Sequence, residues 1–450
     1  MPNVRRSRSS APSARCASVP SASGRPWRVA LVNLGCRVNR VELDAMALKL
    51  QEAGCEVVSQ READAIVINT CAVTGEAQAK TRKAVRHAAG LPQAPIVVAT
   101  GCVASLFADE LMAAAPGAVV EPDKRKVAER TLELLAEAAR TDTNPAEPAP
   151  AHLISGTTPT GRTRPGIKIQ DGCNNRCTFC IVWKARGASR SVPTQQVLEE
   201  VRAAQARGAH EVVLTGINLG NFRGEDAEGT YELPGLIERM LRETSIERIR
   251  LSSIEPPDVT EELVGVMAAA GERVAPFLHV CLQSGCDRTL HDMGRVYTTE
   301  QYARAISQAR AALPQLSLGT DLIVGFPGET DDDFEQSLAF CGAMSFSRMH
   351  VFRYSRRPGT PAAARTDQVS APVSARRSER MLELAARMRH AQAMRCVGGE
   401  ELVVVQYPGR GVSGGLFDVL VDDSIPVDAL VRVRVRGVLE DGTLDARSNR

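Results

Sequence analysis

Short apolar runs alternate with longer segments of helical period along most of this chain. Residues 29–34, 65–69 and 95–99 are nearly continuous runs of Val, Ile, Leu and Ala, the pattern of strands buried on both faces. Residues 41–53, 76–89 and 123–139 instead space their apolar positions three and four apart, which predicts helices. Strands alternating with helices predict a parallel sheet covered on its faces. The pattern stops at 141–165, where Pro, Thr and Ala dominate and large apolar residues are few, so a linker is expected there.

Alternation then resumes. Strands are expected at 166–170, 211–215, 248–252, 277–282, 317–324 and 349–354, with helices at 194–207, 233–242, 260–270, 299–312 and 331–343. Thr194 and Thr299 are candidate N-caps. Six strands joined by five helical crossovers predict a partial or complete βα barrel whose functional loops lie at the carboxyl ends of its strands. A turn-rich basic loop, 355–361, and a long helix, 375–395, follow. From about residue 400 the period becomes two, with strands at 402–406, 416–421 and 430–438 that suggest a small β-barrel. Arg432, Arg434 and Arg436 would share one face of the last strand, either as a nucleic-acid contact or as a solvated outer surface. The expected class is α/β. Its expected parts are a tail at 1–26, a parallel-sheet domain at 27–140, a linker at 141–165, a barrel at 166–395 and a small β domain at 396–450.

Composition narrows the classes. The 450 residues allow about three domains. No apolar run is long enough to span a bilayer, so no membrane partner is expected. Arg5 and Arg6 are followed by no apolar segment of the kind an export signal needs, and the tail reads as disordered. Twelve cysteines without such a signal argue for reduced thiols, metal binding and a cytoplasmic location. A net charge of +2 announces no global attraction to nucleic acid, so any basic surface is local.

The cysteines carry the chemistry. Cys173, Cys177 and Cys180 are spaced Cys-x3-Cys-x2-Cys in a turn-rich loop after the first barrel strand. Soft thiolates favour iron–sulfur clusters or zinc. A structural zinc wants a fourth protein ligand, and no fourth Cys or His lies nearby in sequence. Cys36, Cys71 and Cys102 each follow one strand of the N-terminal region. In an open α/β sheet the carboxyl ends of strands line one crevice, so these three can converge as a second metal site. Cys55 follows a helix and Cys16 lies in the tail, and both are left out.

Two separated trios in this order resemble the radical S-adenosylmethionine methylthiotransferases. The resemblance runs from Val29 to the C-terminus. It is closest to the branch acting on N6-threonylcarbamoyladenosine in tRNA, through residues 34–39, 170–182, 214–220 and 357–361. It implies two four-iron clusters, one on Cys173, Cys177 and Cys180 and an auxiliary one on Cys36, Cys71 and Cys102. It also implies S-adenosylmethionine bound near Gly216, Gln283, Ser284, Asp321 and Gly325, and a C-terminal RNA-binding barrel of the TRAM kind. The expected partners are tRNA and a reductant protein such as flavodoxin or ferredoxin. The implied reaction puts a methylthio group on C2 of the modified adenosine at position 37. The rival substrates are isopentenyladenosine at the same position and a ribosomal-protein aspartate. A rival of another class is an RNA-binding module with structural iron–sulfur or zinc sites. Family members commonly carry Ile-Pro where this chain has Val182-Trp183-Lys184; Trp183 is expected to pack rather than to contact ligand. Cys281 and Cys286 flank the Gln283–Ser284 turn and match no ligand of the family.

Overall fold

The computed structural model describes residues 25–141, 158 and 160–448. The expected tail and most of the expected linker therefore lie outside the described residues. The N-terminal sheet is parallel throughout, in the order Glu56–Val57, Arg28–Asn33, Ala65–Thr70, Ile96–Gly101, Val119–Val120. Its central strand, Ala65–Thr70, is buried at every position because helices cover both faces. Leu43, Met46 and Leu50 of helix Arg37–Glu52 pack on Val29, Val67 and Val98, while Ile66, Ile68 and Val97 face a second core with Val85 and Val103. That first helix starts four residues before the expected 41, since Val38 and Asn39 are already buried in its first turn. Two short helices, Cys102–Leu106 and Ala108–Ala114, come next, and the helix expected at 123–139 starts later, at Val127.

All six barrel strands and all five crossover helices form. The strands run in chain order in two parallel ladders, and the third continues from one into the other as Arg248–Leu251 and then Ser253–Ile254. Gly166–Lys168, Glu211–Thr215 and Arg248–Leu251 make the first; Ser253–Ile254, Phe277–Val280, Ser317–Val324 and Arg348–Arg353 make the second. Among the described residues no pairing joins Arg348–Arg353 back to Gly166–Lys168, so the barrel is open. Helix Arg37–Glu52 lies along the Gly166 edge so closely that a Cβ on Gly166 would meet Val41 Cγ2 at 2.3 Å. The N-terminal sheet thus sits beside the barrel with its strand ends turned toward the barrel's own.

Two expected caps are corrected. Thr298, not Thr299, caps helix Thr299–Ala312: its hydroxyl accepts from the Gln301 N–H while the Gln301 side chain accepts from the Thr298 N–H. Helix Thr194–Ala206 is preceded by Pro193 at the cap position, and Thr194 Oγ1 is buried without a partner.

Helix Ala371–Met394 begins four residues earlier than expected, with Pro372 in its first turn. It leads into a six-stranded sheet in the order Leu430–Arg434, Glu400–Tyr407, Arg410–Ser413, Asp418–Leu420, Leu444–Asp445, Gly437–Val438. The two edge strands are consecutive in the chain, so the sheet curls into a half-barrel. Strands Arg410–Ser413 and Leu444–Asp445 are too short and Gly-broken to read from period alone. Arg432, Arg434 and Arg436 do alternate outward, with Arg432 tied to Glu272 at 2.6 Å. Beneath this sheet, buried Glu211 binds Arg164, Arg248 and Arg250, and Arg250 donates to the carbonyls of Ser413 and Gly414 at 2.9 and 2.8 Å. Among the described residues no helix is long and apolar enough to cross a membrane.

Candidate active site

The registers of the N-terminal sheet decide where its cysteines go. Asn33 lies opposite Asn69, and Asn69 opposite Thr100, so three neighbouring strands end at one level. Cys36, Cys71 and Cys102 follow those ends within three residues. Asn39 locks the corner. Its amide donates to Asn69 Oδ1 at 3.2 Å and to the Thr70 carbonyl at 2.7 Å, and Asn69 returns a bond to the Asn39 carbonyl at 2.7 Å. Cys36 Sγ lies 3.7 Å from Asn39 Oδ1.

The second trio sits in a loop held from four sides. Gly172, at φ +72°, turns the chain so tightly that a Cβ there would lie 2.0 Å from the Ala188 carbonyl oxygen. The Cys173 N–H donates to Gly187 O at 3.1 Å, and the Thr178 N–H to Met293 O at 2.9 Å. Asn175 Nδ2 lies 3.0 Å from both oxygens of Glu255. Arg295 donates to Glu255 at 2.7 Å and to Cys177 Sγ at 3.1 Å. The Val182 N–H points at Cys180 Sγ, 3.4 Å away.

Arg186 joins the two trios' supports. It is buried, and its guanidinium reaches Glu42 and Asp171 at 2.9 Å each and Asn39 Oδ1. One side chain therefore fixes the first helix of the N-terminal sheet against the cysteine loop of the barrel.

All six cysteines line one cavity of about 500 Å³ between sheet and barrel. Within each trio the thiols sense one another. Burial, with Cys36 and Cys102 nearby, pushes the Cys71 thiol up to about 11. Burial, with Cys177 and Cys173 nearby, raises Cys180 to about 11 as well. Among the described residues, the three donor atoms that gather within 4.8 Å of one another belong to His279, Cys281 and Asp321, not to either trio. The trios are spread more widely, as suits a multi-iron cluster better than a single zinc ion with its bonds of about 2.3 Å. All six thiols are free. Thiolates alone, three to a set, fit four-iron clusters with one iron left for another ligand.

Other expected residues divide. Gly216, Gln283 and Asp321 line the cavity. Gln170 accepts from the N–H groups of Ile217 and Asn218 at 2.9 Å and donates to Gly172 O at 2.8 Å, which ties the Gly216 turn to the cysteine loop. Gln283 is held at φ +68° by bonds to the Asp321 carbonyl and the Ile323 N–H, both 2.9 Å. Burial alone would raise Asp321, but His279 and His350, at 3.2 and 3.0 Å, hold it well below the usual carboxylate range. Ser284 is not brought to the cavity; it is buried, 3.1 Å from Ser337 Oγ. Gly325 is not among the lining residues either, and a Cβ on it would strike Ser374. Trp183 stands at the cavity wall. It is only half-buried, lines the cavity, and carries the Arg176 guanidinium 4.4 Å above its ring. Cys281 borders the cavity, 4.0 Å from Asp321, while Cys286 is buried against Asp333. Asn39 closes the 34–39 stretch that carries the resemblance, but Glu42, Arg186, Glu255 and Arg295 carry no patterning signal that would have marked them beforehand.

Residues 167–341 match the Radical SAM superfamily, and residues 28–121 match Uncharacterized protein family UPF0004. Over 94% of the chain, it is 33% identical to the threonylcarbamoyladenosine tRNA methylthiotransferase of Thermotoga maritima, of which 97% is covered. It is 34% identical to the tRNA-2-methylthio-N6-dimethylallyladenosine synthase of Erythrobacter litoralis, over 92% of this chain and 96% of that one. The fold is similar to that of TsrM, a radical S-adenosylmethionine methyltransferase of Kitasatospora setae. The TM-score is 0.52 at 18% identity, over 86% of this chain and 77% of that one.

Proposed function

Because the chain belongs to the radical S-adenosylmethionine methylthiotransferases, transferases that use S-adenosylmethionine and four-iron clusters, we propose that it places a methylthio group on C2 of N6-threonylcarbamoyladenosine at position 37 of tRNA. The observation that carries this reading is the meeting of two cysteine trios on one cavity of about 500 Å³. C2 of a purine bears an unreactive C–H, and the bound clusters and S-adenosylmethionine supply the radical and sulfur chemistry that side chains lack.

The protein's part is placement. Cys173, Cys177 and Cys180 hold the cluster that binds S-adenosylmethionine, and Cys36, Cys71 and Cys102 hold the auxiliary one. Arg295 and the Val182 N–H donate to thiolate sulfurs of the first set. Gly216, Gln283 and Asp321 border the S-adenosylmethionine end of the cavity, with Asp321 kept anionic by its two imidazoles. Trp183 offers a half-exposed ring at the cavity wall, suited to stack on a base. The outward row of Arg432, Arg434 and Arg436 meets the tRNA backbone. A small reductant protein of the flavodoxin or ferredoxin class delivers electrons, and the reaction runs in the cytoplasm, where thiols stay reduced.

The choice of threonylcarbamoyladenosine over isopentenyladenosine rests on relatives so named. Nucleosides from total tRNA of cells with and without this gene, quantified by mass spectrometry, test it. Loss of the 2-methylthio threonylcarbamoyl nucleoside with accumulation of its precursor is the expected result. Loss of the isopentenyl counterpart instead would keep the chemistry and overturn the substrate.

A further inference from the structure

The charged groups that line the cavity nearly all have a charged or imidazole partner. Arg186 is taken by Glu42 and Asp171. Arg295 is taken by Glu255, and Asp321 by His279 and His350. Arg37 is the exception. It follows Cys36 directly, it is exposed and lines the same cavity, and among the described residues its side chain makes no hydrogen bond or ion pair. The charges that act on it most, Arg164, Arg250, Arg348 and Arg162, are cations too. An unpaired guanidinium at the wall of a site where substrate must enter is set to receive an anion.

From that placement we infer that Arg37 is the specificity-determining residue for the N6 substituent, binding the carboxylate of the threonyl group. The inference rests on the proposed function and deepens it. Of the two rival tRNA nucleosides, the threonylcarbamoyl one carries a carboxylate and the isopentenyl one carries only hydrocarbon. In the threonylcarbamoyl nucleoside the ureido N–H can hydrogen-bond to N1, which folds the chain onto the edge of the purine that bears C2. A carboxylate gripped by Arg37 therefore draws C2 toward the Cys36, Cys71 and Cys102 end of the cavity, where sulfur is to be delivered. An isopentenyl group would leave the guanidinium facing a hydrocarbon with its hydration removed, which is unfavourable. Discrimination then comes from a cavity-wall cation that one substrate pairs and the other leaves without a partner.

Two other anions could claim the same side chain: a tRNA phosphate and the carboxylate of S-adenosylmethionine. The test uses the full-length protein with clusters reconstituted anaerobically and without S-adenosylmethionine, so that binding is read without turnover. Three anticodon stem-loop RNAs are titrated by fluorescence anisotropy. They carry threonylcarbamoyladenosine, the same nucleoside with its carboxylate converted to the primary amide, and isopentenyladenosine. The wild-type protein is expected to bind the carboxylate form about tenfold tighter than the amide, the size of a charge-assisted pair. Arg37→Gln is expected to bind both as weakly as the wild type binds the amide, and Arg37→Lys to keep part of the preference. Iron content and circular dichroism equal to wild type show that the variants are folded and loaded.

Equal affinity of the wild type for carboxylate and amide overturns the inference. So does an Arg37→Gln loss that is the same for both RNAs, which marks a phosphate contact. A fall in S-adenosylmethionine binding by Arg37→Gln in equilibrium dialysis assigns the cation to the cofactor and overturns it too. A wild-type preference for the isopentenyl RNA refutes the proposed function itself, and is read without any variant.

Discussion

Each thiol of this site is defined by what surrounds it. Cys71 and Cys180 are held high by burial and by neighbouring sulfur, so they are protonated in the metal-free chain at neutral pH and loading must release their protons. The two trios have separable duties, which single substitutions distinguish. Cys177→Ala is expected to lose about half of the bound iron and all reductive cleavage of S-adenosylmethionine. Cys71→Ala is expected to lose a similar share of iron yet keep cleavage, with no methylthiolated product. Iron assay and chromatography of 5′-deoxyadenosine check both. Arg295→Met removes a positive donor from Cys177 Sγ, so the reduced cluster is less stabilised and its potential should fall, as measured by redox titration. The six cysteines were legible because strand ends and close spacing advertise a shared target. Arg295 and Arg186 were not, because they act on residues 118 and 147 positions away. Trp183 is expected to pack, and it does carry the Arg176 guanidinium on its ring, but its place at the cavity wall follows from the fold of the loop and not from its residue type.

At the scale of elements, the loop that carries Cys173 depends on one backbone conformation. Gly172→Ala combines an unfavourable positive φ with a Cβ 2.0 Å from the Ala188 carbonyl oxygen. The variant is expected to lose the cluster on that loop while the N-terminal sheet and its cluster persist. An electron paramagnetic resonance spectrum reduced to one cluster signal would show it. The strands and crossover helices themselves were readable almost to their ends, since a parallel βα arrangement writes buried strands as apolar runs and helices as a 3.6-residue period. Their caps were less so. Thr298 and Thr299 are chemically identical, and only the reach of Gln301 back to Thr298 decides which begins the helix. The strands of the C-terminal half-barrel that escaped notice are two to four residues long, below the length at which alternation is visible.

At the scale of the whole molecule, buried charge joins parts that each have an apolar core. Burial alone would raise Glu211, but Arg250, Arg248 and Arg164 hold it well below the usual carboxylate range. Through them it fastens the barrel floor to the carbonyls of the C-terminal sheet. A carboxylate depressed on folding stabilises fully above its unfolded value of about 4.3, and that stabilisation fades as the pH falls below it. Glu211→Gln leaves three buried guanidiniums under-compensated and is expected to cost roughly 3–5 kcal/mol at neutral pH. Urea denaturation should show that loss at pH 7 and a smaller one in acid; an equal loss at both would contradict the assignment. Such long-range polar joints left no trace in apolar periodicity, so the parts of this chain could be read from its sequence but not how they dock. The docking is what brings both trios to one cavity, and on it the proposed chemistry depends. The most direct test is a competition. The anaerobically reconstituted enzyme, with S-adenosylmethionine and a reductant, is given equal amounts of tRNA bearing threonylcarbamoyladenosine and tRNA bearing isopentenyladenosine, and the nucleosides are followed by mass spectrometry. Methylthiolation of the threonylcarbamoyl nucleoside, with the isopentenyl one left unchanged, is the result this account predicts. Conversion of the isopentenyl nucleoside instead, or cleavage of S-adenosylmethionine with neither nucleoside altered, would contradict it.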